Sequence, residues 1–141
     1  MPKYSVIIPV YNRPDEIADL LRSLSSQSMT DFETIIVEDG STVPCRSVVE
    51  AWEPSLDVHY YYKPNEGRSI ARNYGIERSK GDYLVFFDSD CVIPPDYFRT
   101  LDGFLTAHPL DCFGGPDAAH SSFTPTQKAI NFAMTSFLTT G

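Results

Sequence analysis

Residues 4–10, YSVIIPV, are apolar and β-branched almost without interruption, the pattern of a strand buried on both faces of a parallel sheet. Pro9 marks its end, where a missing backbone N–H does least harm. The loop Tyr11, Asn12, Arg13 follows, and Pro14 opens a helix with Asp15 and Glu16 in its first turn. Ile17, Leu20, Leu21 and Leu24 recur at i, i+3, i+4 and i+7 as one apolar stripe. Residues 32–37 repeat the strand pattern and run out into Glu38, Asp39, Gly40 and Ser41. A weaker helix over 47–52 leads to an aromatic strand over 58–62. After a loop at 63–67, a helix over 69–79 is closed by Gly81. The next apolar run ends in Asp88, Ser89 and Asp90. Pro94 and Pro95 open a helix whose Tyr97, Leu101, Phe104 and Leu105 share a face, and Pro109 stops it. A short strand or turn at 112–116 and a helix over 125–137 complete the pattern.

Strands alternating with helices predict an α/β fold: an open, mostly parallel sheet with right-handed crossovers and helices on both faces. Ligands of such sheets bind beyond the carboxyl ends of the strands, at the switch point of the strand order. With the fourth strand beside the first, in the order 3-2-1-4, three loops converge on one rim. They carry Tyr11 to Arg13, Glu38 to Ser41, and Asp88 to Asp90.

Composition narrows what that rim can hold. The 141 residues, 42% of them hydrophobic, suffice for one domain with its own core. A net charge of -8 and a pI near 4.7 exclude a binder of nucleic-acid backbone, which needs clustered Lys and Arg. A nucleotide bound through a metal stays compatible, because the cation supplies the positive charge. Cys45, Cys91 and Cys112 are odd in number and unpatterned, so neither a disulfide framework nor a zinc site is indicated, and a cytoplasmic setting fits. The apolar run at 6–10 is too short for a membrane span, so membrane association is expected only through parts outside this chain. Residues 137–141 show no cap or charged tail, and a continuation is expected.

Asp88 and Asp90 are separated by Ser89 alone. Carboxylates that close repel, and one is driven towards protonation unless a cation neutralises the pair. Hard oxygen ligands suit Mg²⁺ or Mn²⁺, with phosphate oxygens completing the shell. The same three residues also suit an ordinary turn, and it is the convergence of loops that favours a site. Arg68 and Arg72 lie four residues apart on one helix face near its start, where guanidinium groups and the helix end attract phosphate; pairing with surface acids is the alternative. His59 and His108 read as packing residues, Glu38 as loop support, and Asp117 and His120 as candidates that a Gly-Gly-Pro turn brings near the pocket.

Residues 6–12 (VIIPVYN) and 36–41 (IVEDGS), then Asn65, Glu66, Gly67 with Ala71, Arg72, Asn73, then Gly81, Asp82, Tyr83 leading to Asp88, Ser89, Asp90 resemble, in order and spacing, the family 2 glycosyltransferases of the GT-A fold. The likeness spans residues 4–93, and more loosely 114–117. It implies an inverting transferase that moves a sugar from a nucleotide diphosphate donor to a saccharide or lipid-linked acceptor, with Mn²⁺ or Mg²⁺, in polysaccharide biosynthesis for the cell envelope. It also implies roles. Tyr11 would stack on the base, and Asp39 would accept a hydrogen bond from the base's ring N–H, which points to uridine. Asp88 would sit near the ribose and metal, and Asp90 would ligate the metal. Pro9, Asn12, Arg13, Arg68, Arg72 and Ser89 would complete the donor site.

Two positions depart from the family pattern: Glu38 stands where a second aspartate is common, and Arg68 where a small residue or proline is common. The family's general base lies downstream of the matched region, so no catalytic residue is assigned. Residues 1–141 are expected to form a single donor-binding domain without the acceptor part, able to bind donor but transferring sugar poorly or not at all. Two alternatives stand beside this: a non-catalytic nucleotide-binding module, and a haloacid-dehalogenase-like phosphohydrolase. The latter's Asp-x-Asp-x-Val signature fits Asp88 to Val92 but normally follows the first strand.

Overall fold

A computed structural model describes residues 1–114 and Pro125. The chain divides into two compact units, Met1–Thr106 and Ala107–Gly141. Among the described residues, four strands, β1 (Tyr4–Val10), β2 (Phe32–Asp39), β3 (Val58–Lys63) and β4 (Tyr83–Phe86), alternate with four helices, α1 (Pro14–Ser25), α2 (Arg46–Glu50), α3 (Arg68–Ile76) and α4 (Tyr97–Ala107). The expectations for Asp117, His120 and residues 126–137 lie outside the described residues. Among the described residues no helix is long and apolar enough to cross a membrane.

The sheet runs β3-β2-β1-β4, every neighbouring pair parallel, as the alternation predicts. β1 and β2 are buried along their whole length because both faces are covered. On one face Val6, Ile8, Val10 and Ile36 join the stripe of α1 (Ile17, Leu20, Leu21, Leu24), Val49 of α2 and Phe98, Leu101 and Leu105 of α4. On the other, Ile35 and Val37 pack on Ala71 of α3, with Tyr61 and Tyr74 beside them. Gly75 lets α3 lie close to the sheet, since a Cβ there would come within 2.6 Å of Ile7 Cγ2.

The amino ends of the strands are tied by a buried polar knot. The Ser5 hydroxyl donates to Glu33 Oε1 at 2.6 Å, the Lys80 amide donates to the same oxygen at 2.6 Å, and the Gly81 amide donates to Ser5 Oγ at 2.8 Å. This fixes the turn between α3 and β4. Nearby, the Lys3 ammonium and the Tyr4 hydroxyl meet Asp102 of α4.

Several local expectations are corrected. α4 starts at Tyr97 rather than at Pro94, because the residue before a proline is pushed out of the helical region and Pro94 precedes Pro95. Its buried face is Phe98, Leu101 and Leu105; Phe98 stacks on Phe32 at 4.4 Å, while Phe104 is 44% exposed. α3 stops at Ile76, and the remainder of the expected helix tightens into bonds from Arg78 to Gly75 and Ser79 to Ile76. His59 is no packing residue: Nε2 lies 3.2 Å from Asp57 and 3.7 Å from Glu33. His108 is exposed, past the end of α4. Of the second unit, residues 108–114 are exposed without helix or strand, so of the strand or turn expected at 112–116 the described part does not form the strand.

Candidate functional site

β1, β2 and β4 all deliver their carboxyl ends to one rim, and an open cleft of about 250 Å³ lies there. It is lined by Pro9, Val10, Tyr11 and Arg13 after β1, Asp39 at the end of β2, Arg68 at the start of α3, and Asp88, Ser89 and Asp90 after β4. Of the donor-site and metal residues the sequence nominates among the described residues, Asn12 and Arg72 stand behind this lining.

Asn12 acts as a clip. Its backbone is in the left-handed region (φ 54), a conformation Asn tolerates better than most residues. Its Oδ1 accepts from the Thr42 and Val43 amides at 2.8 and 2.9 Å, and its own amide donates to Ser41 Oγ at 2.8 Å. The loops after β1 and β2 are thereby fastened together, with Tyr11 held beside the clip and 51% exposed towards the cleft.

Arg72 reaches the rim through Asp88. Its Nη2 donates to Asp88 Oδ1 at 2.7 Å, and Arg68 approaches Oδ2 at 3.6 Å. Arg72 Nε is buried without a hydrogen-bond partner among the described residues. Asp90 is exposed and forms no ion pair among them. Arg13 bonds Glu16 at 2.5 Å at the mouth of α1.

Asp39 is the most constrained group of the site. It is 4% exposed, and its carboxylate accepts from Lys63 Nζ (2.8 Å) and the amides of Glu66 (3.0 Å) and Gly67 (2.8 Å). Burial works to raise this carboxyl, but Lys63 and the two amides outweigh it and hold it below the usual carboxylate range. Gly40 and Gly67, both with positive φ, let the loops close around it; a Cβ on Gly40 would sit 2.5 Å from the Asn65 amide nitrogen. Asn65 in turn donates to the Asp39 carbonyl at 2.9 Å. Glu38 points to the other face, where its Oε2 accepts from the Cys45 amide and the Tyr60 hydroxyl, the loop-supporting role expected of it. That contact and burial push the Cys45 thiol up to about 12, with desolvation the larger cause.

Lys63 escaped the sequence analysis, which placed it in a polar loop. It ends β3 with its side chain 6% exposed, directly opposite Asp39 in the strand register. A lysine that closes an aromatic edge strand, beside a strand that ends in an acid, is the signal that marks it.

The rim fits a divalent cation as far as its donor chemistry goes. No group of three or more His, Cys, Asp or Glu is assembled among the described residues, so no all-protein cage is formed. Two carboxylates facing a cleft match the way Mg²⁺ and Mn²⁺ are held by one or two acids plus substrate phosphates. Arg68 and Arg72 balance Asp88 and Asp90 in charge, while Lys63 faces both Asp39 and Glu66. Among the described residues the rim therefore has no surplus positive charge for a diphosphate.

In comparison with known proteins, the profile described as Glycosyl transferase family 2 matches residues 5–138. TuaG of Bacillus subtilis, a putative teichuronic acid biosynthesis glycosyltransferase, is 41% identical over 133 residues, covering 92% of this chain and 53% of TuaG. YibD of Escherichia coli K12, an uncharacterized glycosyltransferase, is 38% identical over 110 residues, covering 77% of this chain and 32% of YibD. Among solved structures, Staphylococcus aureus TarS 1–349 in complex with UDP-GlcNAc superposes with a TM-score of 0.73 at 29% identity, over 82% of this chain and 37% of that one. The mannosyltransferase PcManGT of Pyrobaculum calidifontis, in complex with GDP-Man and Mn²⁺, gives 0.62 at 26% identity, over 66% and 29%. The chain spans from 13% to about half (53%) of the length of the curated relatives it matches.

Proposed function

The chain belongs to glycosyl transferase family 2, and from that premise we propose that its first unit is the donor-binding part of an inverting glycosyltransferase that uses a nucleoside diphosphate sugar, with uridine the favoured nucleoside. The phosphohydrolase alternative falls with the family assignment. One observation carries the proposal: Tyr11, Asp39, Asp88 and Asp90, from the ends of three adjacent strands, line one cleft. The UDP-GlcNAc bound by TarS and the GDP-Man and Mn²⁺ bound by PcManGT support it.

Tyr11 offers an exposed ring face, which binds any base, and Asp39 offers an acceptor, which favours a base with a ring N–H. Arg68 and Arg72 stand where the phosphates of such a ligand would pass, and Arg72 holds Asp88 in place. Asp90 and Asp88 would hold Mn²⁺ or Mg²⁺; when bound, such an ion supplies Lewis-acid stabilisation of the leaving diphosphate. The balanced charge of the rim is the physical reason a cation is needed. No described residue is assigned as the base that deprotonates the acceptor, a saccharide or lipid-linked alcohol of envelope polysaccharide synthesis in this reading; the role given to this unit is donor binding.

Calorimetric titration of the 141-residue chain with UDP, with and without Mn²⁺, tests this. Mn²⁺ is expected to tighten binding, and Asp90→Ala to remove that gain, a change of about tenfold or more. Equal affinity with and without Mn²⁺, unchanged by Asp90→Ala, would overturn the assignment of the rim.

A further inference from the structure

Lysine is almost never fully buried unless its charge is paired, yet Lys63 is enclosed at the end of β3 with a side chain only 6% exposed. Its ammonium donates to Asp39 Oδ1 at 2.8 Å and to the Pro64 carbonyl at 2.6 Å, and lies 2.8 Å from Glu66 Oε2. An ammonium has three donors, and these three contacts account for them. On the carboxylate side, Oδ1 accepts from Lys63 and the Glu66 amide, and Oδ2 from the Gly67 amide. An ionised carboxylate has about four acceptor sites, so one remains, on Oδ2, in a residue that lines the cleft.

We propose that Lys63 is a positioning and specificity-determining residue: by holding Asp39 as a fixed, obligatory acceptor, it makes the cleft choose uracil, which presents a ring N–H, over cytosine, which presents a bare ring nitrogen at the same place. This inference rests on the nucleotide-binding reading of the cleft. A protonated carboxyl donates as well as accepts and so tolerates either base, and a rotating carboxylate orients neither. Lys63 removes both freedoms at once. The other groups around Asp39 do not replace it. Glu66 is negative and 54% exposed, Arg68 and Arg72 are engaged with Asp88, and Arg13 with Glu16. Asp88 and Asp90 line the same cleft with charge that opposes ionisation of Asp39. The amides of Glu66 and Gly67 orient the carboxylate without adding a full charge.

The test compares UDP with CDP, by calorimetry in the presence of Mn²⁺, for the native chain, Lys63→Gln and Lys63→Arg, each checked for folding by circular dichroism. The phosphates and the metal are common to both nucleotides, so the ratio of the two dissociation constants isolates the base. The native chain is expected to keep a constant UDP preference between about pH 5 and pH 8. Lys63→Gln is expected to lose about tenfold of that preference and to lose more as the pH falls, while Lys63→Arg retains most of it. A folded Lys63→Gln with the native ratio and pH profile would overturn the role of Lys63. The crystal structure of the native chain with UDP decides independently of any variant. Lys63 on Asp39, with Asp39 accepting from the uracil ring N–H, supports the inference; a base seated away from Asp39, or Lys63 displaced from it, refutes it. If neither nucleotide binds the native chain, the nucleotide reading itself fails, an outcome distinct from loss of discrimination.

Discussion

Arg72 and Asp88 face each other across the rim with Nη2 and Oδ1 2.7 Å apart, so a group expected to meet phosphate already holds a group expected near the metal. The pair is half-exposed, with side-chain accessibilities of 33% and 47%, and such pairs add at most about 1 kcal/mol to stability. Arg72→Ala is therefore expected to leave urea unfolding within about 1 kcal/mol of native while weakening UDP binding about tenfold or more. A large loss of stability with native UDP affinity would show that Arg72 is structural only.

Gly40 and Gly67 separate strain from collision. Both have positive φ, but a Cβ on Gly40 would meet the Asn65 nitrogen at 2.5 Å, whereas one on Gly67 would have no atom within 4 Å. Gly40→Ala is expected to cost about 2–3 kcal/mol and Gly67→Ala about 1 kcal/mol, read as shifts in urea midpoint at constant slope. Gly40→Ala should also weaken UDP binding, because Asp39 precedes it.

The Asp39–Lys63 pair sets a pH window for stability. Asp39 is held below its ordinary value of 3.8, so its contribution is present above that value and is lost as the pH falls through the lower folded value. Burial would lower the Lys63 ammonium, but Asp39 and Glu66 hold it above 10.5; its contribution is present below that value and is lost as the pH rises beyond it. The unfolding free energy of the native chain minus that of Asp39→Asn is expected to be flat between about pH 5 and pH 9, and to fall in more acid solution. A difference that already declines near neutrality would contradict this arrangement.

Phe98 and Phe104 lie on the same helix but in different surroundings. Phe98 is fully buried against Phe32, Tyr4 and Tyr97, while Phe104 is 44% exposed. Phe98→Ala is expected to cost about 3–5 kcal/mol in urea unfolding, and Phe104→Ala less. Comparable losses at the two positions would mean that the face of α4 is misassigned.

These contrasts show what a sequence makes legible. The unbroken apolar runs of β1 and β2 and the four-residue stripe of α1 announce their burial, because period and composition agree over a whole element. Asp88 and Asp90 are recognisable because they end a strand. The phase of α4 is not, since Tyr97 and Phe98 are adjacent aromatics and the distant Tyr4 and Phe32 select between them. Lys63 and the clip formed by Asn12 are illegible for the same reason. A buried lysine gains its meaning from the strand register that sets it against Asp39, and Asn12 from amides about thirty residues away. Local pattern reports a buried face only where period and composition agree over a whole element; it does not report which partner awaits there.

The knot of Ser5, Glu33, Lys80 and Gly81 has a consequence for how this domain can be altered. It lies at the amino ends of strands whose carboxyl ends form the cleft, and from Ser5 to Val10 the chain extends roughly 17 Å at about 3.3 Å per residue. Substitutions that far apart, with no shared partner, combine nearly additively. Durability and ligand preference are thus separable inheritances of one sheet: a change at the knot can make the domain hardier or frailer without rewriting which nucleotide it accepts.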